Sequence, residues 1–445
     1  HMVGLVVLVS VLTAGNGFCQ QPTASTRVHG ETLPAHTADA SVASPAPRPE
    51  QLLGAGVLTI AQLEQMAETH NPTLSLAMRR IQALRGQQVQ VGLYPNPVAG
   101  YQAEEIGESG RSGQHGIYVR QNIVTANKLG LNRAIVSHEI QQAEWQLQTQ
   151  RQRILNDIRS RAYEVLVAQR TMEITQDLVR IGKTAVDVAE RLNKAREVSQ
   201  VDVLQARVEA NSANLLLVAA RKTHAAAWRR LAITVGVPAM QPSPLANSLD
   251  GKLPSLSWND AVSAILSQSP QLANARSGVE RARCAVARAC AGRTPNIETA
   301  AAIRYNDDSS DTTVSLQVGV PLMIFDRNQG NIMKANADLA AAQREVERVE
   351  LSLQDRLAAA YREYDIARDQ VDKYQSDILP YAQQSLELTR EGYEQGEFSY
   401  LELLTTQQTF SRTNLAYIER LREVWLAAIR IDGMLLTGGL NAPGQ

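Results

Sequence analysis

The chain has 445 residues, 44% of them apolar and 4% aromatic, with 44 Lys and Arg against 45 Asp and Glu. A formal net charge of −1 removes any general electrostatic case for nucleic acid or an anionic membrane surface as a partner. The wealth of Ala, Leu, Gln, Glu and Arg suits long helices better than a β-rich or aromatic-cored enzyme.

The chain begins with an apolar run, MVGLVVLVSVLTAGNGFC, so residues 1–19 read as a signal-like segment. It lacks a basic flank and is short for a transmembrane helix, which is the competing reading. Cys19 stands where an acylated cysteine would follow such a segment, although Phe18 replaces the usual small residue before it. Residues 20–57 are rich in Pro, Ala, Ser and Thr and read as a flexible linker.

From residue 58 the chain is written twice. Pro95-Asn96 recurs as Pro295-Asn296, Gly130 as Gly330, and EVSQVDVL at 197 as EFSYLELL at 397, all at an offset of 200. LTIAQLEQMAETHNPTL at 58 resembles LSWNDAVSAILSQSPQL at 256. A first structural repeat is expected over 58–245, a second over 246–436, and a tail over 437–445, with a Pro/Ser/Gly-rich joining stretch.

Each repeat should hold a short helix, a second helix, two strands, a very long helix, a turn and a returning helix. Strands are expected at about 96–106, 115–125, 295–305 and 312–322. The second pair alternates cleanly, Val314, Leu316, Val318, Val320 and Leu322 facing opposite to Ser315, Gln317 and Gly319. In the first pair Gln121 interrupts Ile117, Val119 and Ile123. Each strand has the length a membrane β-strand needs, but a half-buried hairpin of a soluble domain has the same pattern. Asp307, Asp308 and Asp311 read as solvated turn residues.

The long helices, about 127–195 and 327–395, carry seven-residue apolar rows. One runs Ile158, Val165, Met172, Val179, Val186; another Ile332, Leu339, Val346, Leu353, Ala360, Ala367, Tyr374, Tyr381, Leu388, interleaved with Leu357, Tyr364, Val371 and Ile378. Such seams predict coiled-coil packing, and Pro380 should kink or divide the second helix. Between strand and helix, Asp326 is the expected N-cap, with Gln329 completing a capping box. In the first repeat Thr125 or Asn127 would cap instead. Pro321 should weaken strand pairing at this joint, near Gly330. Four strands cannot close a barrel in lipid, so membrane insertion would require several chains to pool them about an axis.

With GLYPNP (92–97), GVPLMIFDRNQGNI (319–332) and GYEQGEFSYLELLTTQQT (392–409) set on this two-copy layout, the chain resembles the TolC-type outer-membrane factors, in their heavy-metal-efflux (CzcC/CusC-like) branch. The resemblance implies a mainly α fold with a small β part. Three chains would build a long-helix α-barrel continued by a pooled 12-stranded transmembrane β-barrel in outer-membrane lipid. It implies a periplasmic adaptor and an inner-membrane pump of the RND type as partners, and no chemistry by the channel itself.

It also assigns residues. Glu402, with Asp202 as its first-repeat counterpart, would line the pore constriction. Thr405 and Gln205 stand where a second acid is common, which weakens the case for a double acidic ring. Glu197, Val198, Ser199, Gly392, Gly396, Glu397, Phe398 and Ser399 would form the adaptor-contacting tips. Against the pore role, Glu402 also reads as an ordinary carboxylate at a helix start.

No catalytic constellation, cofactor motif or metal-ligand spacing is visible among the seven His, three Cys and eight Met. Drug efflux, type I secretion and a pore-free periplasmic coiled-coil scaffold remain as alternative functions.

Overall fold

The computed structural model describes residues 57–107, 113–249, 251–307, 309–395 and 397–441. The signal-like segment with Cys19, the linker up to residue 56, Asp308, Gly396 and residues 442–445 of the tail lie outside the described residues.

Each repeat opens with two helices parted by an X-Pro step. Helix α1 (Ile60–His70) starts on Thr59, whose Oγ1 accepts the Gln62 N–H at 3.2 Å while Gln62 Oε1 accepts the Thr59 N–H at 2.9 Å. Asn71 then ends α1 and caps α2 (Pro72–Gln90), its Oδ1 accepting the Thr73 N–H at 3.0 Å. Proline suits the first turn of α2, where its missing N–H has no intrahelical partner to lose. Helices α5 (Trp258–Gln268) and α6 (Pro270–Ala291) repeat the X-Pro step at Ser269-Pro270, but the Ser269 side chain makes no cap bond.

Strands β1 (Val98–Glu104), β2 (Gln114–Ile123), β3 (Ile297–Asn306) and β4 (Asp311–Gly319) follow their helices. They form one antiparallel sheet in the order β1-β2-β3-β4. The central pairing joins the two repeats, with Ile117 opposite Ile303 and Ile123 opposite Ile297. Strand β4 stops at Gly319, two residues before Pro321, which has no N–H for the ladder.

Helix α3 (Lys128–Lys194) has 67 residues, a rod of roughly 100 Å at 1.5 Å per residue. It returns through α4 (Gln200–Val235). Its counterpart is divided: α7 (Gln329–Lys373), a π-helical turn (Tyr374–Ile378) and α8 (Leu379–Glu394), before the return along α9 (Tyr400–Asp432). Pro380 is the second residue of α8. It cannot donate to the carbonyl four residues back, and the wider π turn takes up the mismatch. The seam is buried above this break at Leu353, Leu357, Tyr364 and Val371, whereas below it Tyr381 is 68% exposed and Leu388 56%.

Two clusters hold the middle of the chain. One packs α1, α3 and α4 around Trp228, Leu63, Ile158 and Leu231; the other packs α5, α7 and α9 around Tyr364, Leu357 and Val424. The C-terminal segment crosses to the first repeat. Buried Asn156 donates to the carbonyls of Gly433 (2.7 Å) and Leu436 (2.8 Å), and Asp157 accepts the N–H groups of Gly438 and Gly439. Residues 437–441 of the expected tail are therefore fastened to α3.

Candidate functional site

The strand register sorts the sheet into two unlike faces. On one lie Tyr101; Ile117, Val119 and Ile123; Ile297, Thr299, Ala301 and Ile303; and Val314, Leu316 and Val318, because each sits opposite a member of the same set. Leu316 and Val314 are 78% and 75% exposed. The other face carries Gln102, Glu104, Arg120, Asn122, Glu298, Arg304 and Gln317, with glycines where large side chains lie flat. A Cβ on Gly100 would stand 2.6 Å from the Tyr118 ring, and one on Gly116 2.7 Å from Cγ of Arg304. Arg304 and Glu104 form an ion pair of 3.0 Å there, and Arg120 lies 5.4 Å over the Tyr118 ring. Gln121, which breaks the apolar alternation, falls at the helical end of its face and donates to the Pro95 carbonyl at 2.8 Å.

At the far end of the apolar face, Tyr101 and His115 share a hydrogen bond of 2.5 Å with stacked rings, and His115 lies opposite Tyr305. At the helical end, Leu322, Ile324 and Phe325 are exposed after β4. Aromatic groups at both limits of an apolar band are the pattern of a sheet that meets lipid.

The strand-to-helix joint departs from the expected capping box. The N-cap of α7 is Asn328, in the left-handed region at φ 60°, and no side chain caps the helix. Asp326 instead accepts the Asn328 N–H at 2.8 Å, and Gln329 accepts the Arg327 N–H at 2.8 Å, so both side chains shape the turn before the helix. Asparagine tolerates that left-handed conformation and Asp closes a local turn onto it, which an S-x-x-E pattern does not disclose. The first repeat does the same at Asn127 (φ 52°), again with no side-chain cap bond, while Thr125 turns to the second repeat.

The two repeats are bolted together here. Thr125 Oγ1 donates to the Pro295 carbonyl at 2.6 Å, and the Lys128 ammonium to Thr294 O (2.5 Å) and Asn296 Oδ1 (2.6 Å). Burial, and then the Arg288 charge, lower the pKa of that ammonium. Asn328 Nδ2 donates to the Ala289 carbonyl at 2.6 Å. Pro295-Asn296 thus accepts from the first repeat, whereas the Pro95 carbonyl accepts from Gln121 of its own repeat. Gly330 has open space around it.

The tips are two capped turns. Ser199 and Asp202 form a reciprocal box, the Asp202 carboxylate accepting the Ser199 N–H at 2.9 Å. Ser399 and Glu402 form its twin at 2.7 Å. The Ser399 N–H, and then its hydroxyl, hold the exposed Glu402 carboxyl below its ordinary pKa. Thr405 and Gln205 are exposed on the same helices, and the Thr405 hydroxyl is turned back to the Leu401 carbonyl. In the first tip the Glu197 N–H donates to the Leu192 carbonyl, and Asn193 Nδ2 to the Val198 carbonyl. In the second the Glu397 N–H donates to the Gly392 carbonyl at 2.8 Å. Ala189, Val203, Ala206 and Tyr400 then pack the two tips together.

Gly392 is required by close approach. A Cβ there would lie 2.3 Å from Cδ2 of Phe398. Gly392→Ala should push the Phe398 ring off the turn and cost about 1–3 kcal/mol of local stability. Hydrogen exchange should show faster opening confined to residues 390–400, and unchanged protection there would contradict this packing.

Among the described residues no helix is long and apolar enough to cross a membrane, and no group of His, Cys, Asp or Glu could hold a metal ion. Cys284 and Cys290 are both free.

Residues 261–435 match the outer membrane efflux protein family. The chain is 26% identical over 385 residues to the cobalt-zinc-cadmium resistance protein CzcC of Cupriavidus metallidurans, covering 86% of this chain and 90% of that one. Among solved structures, CusC superposes with a TM-score of 0.70 at 18% identity, covering 85% of this chain and 92% of that chain. The outer membrane protein VceC of Vibrio cholerae gives 0.68 at 18% identity, over 85% and 96%.

Proposed function

We propose that this chain, a TolC-type outer-membrane efflux protein that sits in the bacterial outer membrane and extends into the periplasm, closes with two further copies into one passive duct for heavy-metal cations. It is a channel protein and not an enzyme. The observation that carries the closure is the sheet: an apolar exposed face, a polar face, and two edge strands, β1 and β4, with no partner among the described residues. In lipid such edges must be paired. A head-to-tail contact of β4 with β1 of the next copy closes 12 strands about a threefold axis.

The helices support the same closure. Within the chain, α9 of the second repeat packs on α3 of the first through Ile418, Ile429, Tyr163 and Leu166. Repeating that contact around the axis sets α7 and α8 of one copy against α4 of the next. Those are the faces left uncovered: Val208 and Leu215 on α4, 63% and 71% exposed, and Tyr381 and Leu388 on α8.

Metal cations are the favoured cargo because of the relative CzcC, a cobalt-zinc-cadmium resistance protein that matches over most of both chains. The tips, Glu197, Val198, Ser199, Gly392, Gly396, Glu397, Phe398 and Ser399, are proposed to meet a periplasmic adaptor fed by an inner-membrane pump of the RND type. Deleting the chain from its host should raise sensitivity to cobalt, zinc and cadmium. Unchanged metal tolerance with new drug sensitivity would assign the duct to drug efflux instead.

Glu402, with Asp202 beside it, is proposed to line the constriction, where three carboxylates favour cations. Glu402→Gln keeps an acceptor for the Ser399 box and removes only the charge. In planar bilayers it should lower the cation-to-anion permeability ratio, and an unchanged reversal potential would remove Glu402 from the pore. In the parent protein the same loss should come with acid. The folded carboxyl is held below its unfolded pKa, so charge and tip stabilisation are present above the unfolded value. Both are lost as the pH falls through the depressed folded one.

A further inference from the structure

Where the two repeats meet, a cleft of about 310 Å³ opens between α1, α3, α9 and the joining stretch. Glu64, Arg159, Tyr163, Asn247 and Asp432 give it polar groups, and Trp425 gives it a wall. Tyr163 stands near the middle of α3, roughly 45 Å from either end at 1.5 Å per residue. The cleft is therefore remote from both the tips and the strand-to-helix joint.

Its aromatic part is fixed in place. Tyr163 and Trp425 stack with ring centroids 4.5 Å apart and planes 21° from parallel. The Trp425 indole N–H donates to the Leu249 carbonyl at 3.1 Å. Tyr163 is 8% exposed, and burial raises its pKa, so its hydroxyl stays neutral. That hydroxyl has no hydrogen-bond partner among the described residues, yet it is not sealed from solvent, so it opens on the cleft. A tyrosine this buried ordinarily satisfies its hydroxyl.

The charges of the cleft are unequal. Arg159 Nε donates to Glu64 Oε1 at 2.6 Å, which sets one cation against one anion. Asp432 is a second acid, and its side chain has neither an ion pair nor a hydrogen bond among the described residues. Burial raises the Asp432 pKa, and the Arg159 charge opposes that without cancelling it. Asp432 is also the last residue of α9, so the partial negative end of that helix falls at the same place. A cation here meets a carboxylate, a helix carbonyl end, a phenol oxygen and an indole. A neutral ring such as a saccharide would leave the surplus carboxylate uncompensated.

We propose that this cleft binds an organic ammonium, a primary amine on one compact apolar body, held by Asp432 and Tyr163 with its body against Trp425. Helices α1 and α3 belong to the first repeat and α9 to the second, so a bound amine strengthens the contact between repeats. The cleft lies within one chain, and it stands whether or not three chains close a duct.

The test is isothermal titration calorimetry of the full-length protein in detergent, with detergent alone as the blank. The probes are phenethylammonium and its neutral isostere 2-phenylethanol. The amine should bind saturably, at one site per chain, and raise the urea midpoint of the helical signal. The alcohol should bind about tenfold or more weakly, because it lacks the charge that Asp432 meets. Asp432→Asn should weaken amine binding by about tenfold or more for the same reason. Tyr163→Phe should weaken it about threefold to tenfold, the loss of one hydrogen bond. Asp177→Asn, at an exposed ion pair with Arg180 on α3, should leave it unchanged. Equal affinity for amine and alcohol in the parent protein overturns the proposal, and that comparison requires no variant to fold. So does an absence of saturable heat with the amine, an unchanged affinity in Asp432→Asn, or an equal loss in Asp177→Asn.

Discussion

Leu316→Arg should abolish the assembled barrel, while Gln317→Arg, one residue on, should leave it intact. Leu316 lies on the apolar face near the middle of β4, opposite Ala301, and is 78% exposed. Gln317 lies on the polar face opposite Ala300. An arginine on the lipid face near the bilayer midplane costs about 2–4 kcal/mol, and three chains would each carry it. The same residue facing an aqueous lumen meets water and the Glu298 carboxylate beside it on its own face. Outer-membrane fractionation and heat-modifiable gel mobility distinguish the two. Equal behaviour of the pair would mean that the register-defined faces do not meet different solvents.

Trp228→Ala should produce the largest loss of stability in the helical part, about 3–5 kcal/mol, the range for removing a large buried aromatic. Trp228 is 2% exposed and packs with Leu63, Ile158 and Leu231. Its Nε1 donates to the Met240 carbonyl at 3.0 Å, tying the return helix to the stretch that joins the repeats. Trp228→Phe keeps most of the ring and loses only that bond, a smaller cost of about 1–3 kcal/mol for the carbonyl left unpaired. Urea titration of the detergent-solubilised protein, read at the α-helical signal, should rank the parent above Phe and Phe above Ala.

The periodic parts of the sequence were the readable ones. A period of two at Val314, Leu316 and Val318 and a period of seven at Leu353, Ala360 and Ala367 point to strand and coiled coil because side-chain direction follows directly from those geometries. Pro380 was legible as an interruption, since its missing donor acts whatever surrounds it. The exposed state of Tyr381 and Leu388 was not, because the heptad row continues through the π turn without a visible change.

The joint departs from its sequence expectation at Asp326 and Gln329 for a different reason. Their pattern is that of a capping box, but the left-handed Asn328 moves the helix start two residues on and diverts both side chains to the turn. The cross-repeat contacts had no local signal at all. Lys128 at Asn296, Asn156 at Gly433 and the β2–β3 pairing join residues more than 160 positions apart. The tips were legible as the recurrence of EVSQVDVL in EFSYLELL, while their reciprocal Ser-acid boxes emerge only in the fold.

The central claim is that three copies pool their strands and their long helices into one tube. Multi-angle light scattering of the detergent-solubilised protein, with small-angle scattering on the same fraction, measures both parts of it. Three chains per particle and an elongated particle longer than about 100 Å, the length of α3 alone, are the predicted result. A monomer in every detergent that preserves the helical signal, or a soluble compact particle, would contradict it.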